Sequence, residues 1–336
     1  MHKLSTNMQA LIEKSSKGKA HIKLTVGTLV NGEKTIQTFG ATGEMPNENY
    51  TYEIGSITKT FTTSLLAKYI HEGKMSLDDP ISKYIDDLGT GYYPTLKRLA
   101  THTAGYEYLP ASLWDGFKLL ILPSLAGSRN GGVIPDFFQI DEEKMKKLLL
   151  ENKKEDKDYP WAYSNFGMGL VGYAIGVASG RGYLDTMDDF LTRELEMPNS
   201  YTGINPDKNL RGYSKKNRDL GNWDLAKSLI AGTGCISSTA EDMLTYARKH
   251  INEELAYLAL THQKHTSAKR FDSGLAWILS KDNNQVIMHN GGTGGFNSIL
   301  VIDKQQKSAY IVLSNYLFSM GKFIQAILED LKKLKS

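Results

Sequence analysis

The feature that most limits how this chain can fold is a spacing: Ser56-x-x-Lys59, Tyr163-x-Asn165 and His289-x-Gly291 follow one another with long stretches of chain between them. Together they hold a nucleophile, a base, a proton relay and an edge for an electrophile, the set that acyl transfer through a serine ester requires. Such a set works only where three remote segments close on one point. At 336 residues the chain suits about two domains or one large composite body.

The pattern of turns and apolar residues suggests how that closure is built. A first helix precedes two strands, His21 to Val30 and Lys34 to Gly40, and Asn31-Gly32 between them is the dipeptide that two-residue hairpins favour. Tyr52 to Gly55 reads as a strand leading into an amphipathic helix that starts at Ser56 and stops at Gly73. Another helix follows Tyr163, and Ser238-x-x-Glu241 reads as a capping box opening a third toward His250. Leu275 to Ser280, Gln285 to His289, Ser298 to Ile302 and Tyr310 to Leu313 then read as an antiparallel meander, closed by a helix from Phe323 to Leu334.

The fold class expected is α/β in the α+β sense. Residues 1–55 plus 270–336 would form a discontinuous, helix-flanked antiparallel sheet domain, and 56–269 a mostly helical insertion, with Ser56 at the seam. An aromatic segment at 105–140, including Tyr106, Tyr108, Trp114, Phe117 and Leu119 to Leu122, reads as a satellite cluster or a lid that selects substrates.

Each pattern has a plainer explanation when taken alone. Ser-x-x-Lys recurs at Ser16 and Lys19, and Ser56 by itself reads as a helix cap. Context separates the two, because Ser16 lies in a polar, glycine-broken stretch whereas Ser56 stands between a strand and a helix. At a helix start the spacing puts the Lys59 amine one turn above the Ser56 hydroxyl, and the Ser56 amide supplies half of an oxyanion hole. Lys59 must then lose its proton, so its reference pKa near 10.4 has to fall through burial or nearby positive charge. Tyr163 reads either as a packed aromatic before a cap or as a phenol that passes a proton to a leaving group, with the Asn165 amide placed to bond both lysine and substrate. His289 reads either as a strand end or as the border of the substrate site, where an amide near Gly292 completes the oxyanion hole.

Beyond these motifs, the blocks YEIGSITKTFTTSLLAKYIHEGKMSLDDPISKYI, LKRLATHTAGY, YSNFGMGLVGYAIGVASG, GTGCISSTAEDM and HNGGTGGFNSILVID resemble, in the same order, those of the serine β-lactamase and penicillin-binding protein superfamily. The resemblance spans nearly the whole chain and is nearest to class C β-lactamases with their esterase and D-amino-acid peptidase relatives. It implies that Ser56 is acylated, Lys59 and Tyr163 share proton transfer, Asn165 holds the substrate amide, and His289, Gly291 and Gly292 lie on the third-motif strand. It implies no metal or organic cofactor and a small-molecule or peptide substrate, namely a β-lactam, an ester or a D-amino-acid peptide. A departure stands at His289, where β-lactamases of the family usually carry a lysine. With a reference pKa near 6.5, His289 is expected to favour anionic substrates only as pH falls through its titration. A non-catalytic or slowly acylating sensor of peptidoglycan-like peptides is the competing reading.

Other classes are disfavoured by what the sequence contains. Lys plus Arg number 40 against 37 Asp plus Glu, net +3, with no basic block, so no nucleic-acid partner is suggested. Cys235 is alone among small residues, which excludes an intramolecular disulfide and suggests packing. Phe166 to Ala178 is apolar but shorter than the roughly 20 residues of a bilayer span, so it reads as a buried helix and no transmembrane segment is expected. His262 and His265 read as surface residues, Asn152 to Asp158 as a solvated loop, and Gly291 to Gly295 as a turn rather than a phosphate loop. The amino terminus is polar, which reads as cytoplasmic on the chain as numbered and as extracytoplasmic where a leader has been removed.

Overall fold

A computed structural model describes residues 3–107 and 138–334. Tyr108, Trp114, Phe117 and Leu119 to Leu122 of the expected lid lie outside the described residues. Helix α1 (Thr6–Ser16) leads into β1 (Leu24–Val30) and β2 (Glu33–Gly40). Asn31 and Gly32 take φ of 51° and 82°, the left-handed pair of a tight hairpin turn, and Val30 pairs with Glu33. Then come β3 (Gly43–Met45), β4 (Tyr52–Glu53), α2 (Thr58–His71), α3 (Leu96–Ala100), α4 (Glu142–Glu151), α5 (Asn165–Ser179) and α6 (Tyr183–Asp189). Four short strands follow, β5 (Tyr201–Thr202), β6 (Gly212–Tyr213), β7 (Asp219–Gly221) and β8 (Ile236–Ser238), and two helices, α7 (Ala240–Asn252) and α8 (Leu258–His262). The chain ends with β9 (Thr266–Ser267), β10 (Asp272–Ser273), β11 (Ile278–Leu279), β12 (Val286–Gly292), β13 (Asn297–Asp303), β14 (Ser308–Ser314) and α9 (Met320–Lys333).

Nine strands make one antiparallel sheet in the order β3-β2-β1-β14-β13-β12-β11-β10-β9, so the two ends of the chain meet where β1 pairs with β14. The carboxy-terminal strands run as a meander in sequence order. Strands β13 and β14 are buried along their whole length, because helices cover both faces. Period-two alternation divides their side chains. Ile299, Val301 and Val312 pack with Met8 and Ile12 of α1 and with Phe323 and Ile327 of α9. Leu300, Ile302 and Ile311 face α2, α5 and α7.

Local readings of the sequence shift slightly in three places. Helix α7 is capped by Thr239, whose side chain accepts from the Asp242 amide, one residue past the expected Ser238 cap. Ser238 instead exchanges a hydroxyl contact with Ser200 at 2.7 Å. Helix α2 is not amphipathic: Thr58 to Ala67 are all buried, since the helix runs through the middle of the molecule. Its hydroxyls are satisfied inside, Thr62 donating to Gly232 O at 2.7 Å and Thr63 to Leu275 O at 3.0 Å. Asn152 to Asp158 is exposed for the most part, yet Asp156 and Asp158 hold Arg98 at 2.6 and 2.8 Å. As expected, α5 is a buried helix, and among the described residues no helix is long and apolar enough to cross a membrane.

Candidate active site

Strand β4 ends in a kink rather than running straight into α2. Gly55 turns left-handed at φ 51°, Gly55 to Ile57 form one 3-10 turn, and α2 begins only at Thr58. Ser56 is therefore not a helix cap; it sits in the turn, partly exposed, ahead of the helix. The kink lets β12 cross at backbone contact distance. A Cβ on Gly55 would lie 2.7 Å from Gly292 N, and one on Gly291 would lie 2.0 Å from Ile54 O and 2.8 Å from Ser56 N. Glycine at 55 and 291 is what permits this approach. Ser298 Oγ donates to Ile54 O at 2.7 Å and ties the sheet to the same turn.

Lys59, on the first turn of α2, is fully buried, with Nζ 3.0 Å from Ser56 Oγ and donating to Thr233 O at 2.8 Å. Burial holds its pKa well below the ordinary lysine value, and among the described residues no carboxylate contributes. The amine also lies 4.9 Å from the centre of the Tyr163 ring. Tyr163 ends the extended segment before α5, while Ser164 caps that helix by accepting from the Gly167 amide at 2.9 Å.

His289 lies on β12 facing the helical side and is buried. Its Nδ1 is 2.8 Å from the Asn290 carbonyl. A carbonyl only accepts, so Nδ1 carries the hydrogen and Nε2 keeps its lone pair. Desolvation first, and Lys59 second, lower its pKa to about 3. The titration expected near neutral pH is thereby moved out of the working range. Thr293 donates to Phe296 O across the hairpin, and ladder polarity alternates residue by residue, so the Gly292 N–H points the other way, toward Gly55 and Ser56.

Ser56, Tyr163, His289, Gly291 and Gly292 line one cleft of about 430 Å³, together with His102, Trp161, Ser273, Ala276, Ile278 and Asn290. Lys59 lies behind Ser56, fully buried, and is not itself among the lining residues. Asn165 opens α5, 3% exposed, and is not among the lining residues. Sequence reading did not single out His102 or Trp161 as site residues; His102 lies within the block LKRLATHTAGY, and Trp161 carries no motif signal. It also missed Glu53, whose Oε1 accepts from the Trp223 amide at 3.0 Å and from Asn222 at 2.9 Å, and whose pKa burial raises to about 7. His262 is buried against His250 rather than on the surface. Cys235 is buried and its thiol pushed up by desolvation, which leaves it a packing residue. A larger cavity of about 730 Å³ opens beside Tyr173, Val177 and Arg181. Its lining serine, Ser228, spends its hydroxyl on the Phe138 carbonyl at 2.7 Å.

The sequence model of the Beta-lactamase family matches residues 8–334. The chain belongs to the beta-lactamase family. As a family member it is a serine hydrolase of the β-lactamase and DD-carboxypeptidase type. It is similar to the D-alanyl-D-alanine-carboxypeptidase/endopeptidase AmpH of Escherichia coli (strain K12), at 24% identity over 89% of this chain and 81% of that one. Its fold is that of class C beta-lactamases: the enzyme from Rhodobacter sphaeroides superposes with a TM-score of 0.78 at 18% identity, over 98% of this chain and 100% of that one. A D-stereospecific amidohydrolase from Streptomyces sp. superposes with a TM-score of 0.73 at 20% identity, over 95% and 97%.

Proposed function

We propose that this family member hydrolyses esters or D-amino-acid amides and peptides through an acyl-enzyme on Ser56. The observation that carries the reading is the Lys59 amine, buried 3.0 Å from Ser56 Oγ with no counter-charge among the described residues. A neutral amine has two N–H groups and one lone pair. With one hydrogen on Thr233 O, the lone pair is available for the Ser56 proton. Tyr163, stacked beside the amine, relays that proton to the leaving group, and the Ser56 and Gly292 amides receive the developing oxyanion. Water then attacks the ester carbonyl, the bond to Ser56 Oγ breaks, and the serine recovers its proton.

His289 shapes the substrate range. A neutral imidazole that offers an acceptor lone pair gives no fixed positive charge for a carboxylate, so neutral esters and amides are favoured over carboxylate-bearing β-lactams. Incubation with an activated ester, a chromogenic cephalosporin and a fluorophosphonate, followed by intact mass, tests the reading. Ester turnover with a fluorophosphonate adduct lost in Ser56→Ala supports it. A lasting adduct with every reagent would instead favour a sensor, and no reaction would sink the enzyme reading.

A further inference from the structure

His102 is a histidine in a glycine's conformation. Its φ is 60°, in the left-handed region that costs a side-chain-bearing residue of order 1 kcal/mol or more, yet it is 3% exposed and lines the cleft. That conformation lets one residue grip the Tyr163 segment from both sides. The His102 carbonyl accepts from the Ala162 amide at 2.9 Å, and His102 Nδ1 accepts from the Ser164 amide at 3.2 Å, so the two bonds straddle Tyr163. Its ring lies 4.9 Å from the Tyr163 ring, tilted by 37°, and edge-on to Trp161 at 5.6 Å.

The tautomer follows from these contacts. Nδ1 accepts, so it carries no hydrogen and Nε2 carries it; that N–H is buried and has no hydrogen-bond partner among the described residues. Protonating Nδ1 would turn the acceptor into a donor aimed at another donor and release Ser164. Burial first, and the Lys59 and His289 side chains after it, oppose a positive charge at His102.

We propose that His102 is a positioning residue for the acyl-transfer step, holding the Tyr163 phenol in register with Lys59 by clamping the amides on either side of it. The inference rests on the Ser56 acyl-enzyme reading. A residue needed only to make the turn would be replaced well by glycine, which prefers this φ. A residue needed for its ring acceptor would be replaced by asparagine, which tolerates the left-handed region and carries an acceptor oxygen at the same position along the side chain.

The two variants therefore divide the cases. With an activated ester, His102→Gly is expected to lower kcat by about tenfold to a hundredfold with KM within about twofold, and to displace the pH profile of kcat. His102→Asn is expected to recover kcat to within about threefold of the parent. Glycine retaining kcat and the parental pH profile would overturn the proposal, as would asparagine being impaired as much as glycine. Fluorophosphonate labelling of Ser56 in the parent keeps the two failures apart. A labelled, active parent with a silent His102→Gly sinks the clamp alone, whereas an unlabelled, inactive parent sinks the acyl-enzyme reading and the clamp with it.

Discussion

Two buried polar clusters invite comparison, the cleft around Lys59 and a second one around His250 and His262. In the second, His250 Nδ1 meets His262 Nε2 at 2.5 Å, and both rings stand edge-on to Trp277, at 5.1 and 5.8 Å. In both clusters desolvation lowers the imidazole pKa values, so the physics of neutralisation is the same. They differ in access and in partners. The cleft sets its desolvated amine against a hydroxyl that reaches solvent, whereas the histidine pair is buried and, among the described residues, leaves His250 Nε2, His262 Nδ1 and Trp277 Nε1 without partners. A perturbed pKa therefore marks burial, and only an accessible nucleophile beside it marks a reactive site.

The contrast can be broken most directly at Lys59. Lys59→Met keeps length and apolar volume but removes the proposed base, so kcat/KM on an activated ester should fall by about a thousandfold or more while stability changes by less than about 1 kcal/mol. A variant that keeps most of its activity would place the base elsewhere. Next in size is Gly291→Ala, whose methyl would enter to 2.0 Å from Ile54 O. It should cost about 3 kcal/mol or more in urea unfolding and remove ester turnover, because either the strand or the Ser56 turn must move.

The sealed cluster should show the opposite signature. His250→Leu with His262→Leu should leave kcat per folded molecule within about twofold, yet alter the dependence of stability on pH. The sign follows from the lowered values: the unfolded chain, with ordinary histidines near 6.5, takes up protons that the folded chain refuses until about pH 3 at His102, His262 and His289. Stability is thus fully present above about pH 6.5 and declines below it, each such proton steepening the fall by about 1.4 kcal/mol per pH unit. Removing the pair should flatten that fall, as read by urea titrations from pH 7 to 4. The smallest effect on pH dependence is expected at His289→Gln: kcat/KM for a neutral ester should stay within about tenfold of the parent and its acidic limb should not move, since the native imidazole does not titrate there.

Much of the fold could be read locally. Asn31-Gly32 specified its hairpin because only a few residue pairs accept two left-handed positions in succession. The carboxy-terminal meander and the buried α5 were visible because strand and helix periodicities are properties of neighbouring residues. The fully buried α2 was misread as amphipathic, since its five threonines and serines between Thr58 and Ser64 look polar in sequence and become core once four of the hydroxyls find a carbonyl and that of Thr58 accepts from the Ile236 amide. His262 was misread for the same reason: its partner His250 is on a different helix.

The sequence alone determined which groups were available, a serine and a lysine one helical turn apart, a Tyr-x-Asn, and glycines where strand and turn must touch. It also determined the order of the segments. Tertiary structure decided what those groups are: that Lys59 is buried with no carboxylate beside it among the described residues, that His289 spends its hydrogen on a neighbouring carbonyl, and that His102 reaches across to the Tyr163 segment. Dielectric surroundings and hydrogen-bond partners are set by residues remote along the chain, so protonation states emerge only when the chain has closed on itself.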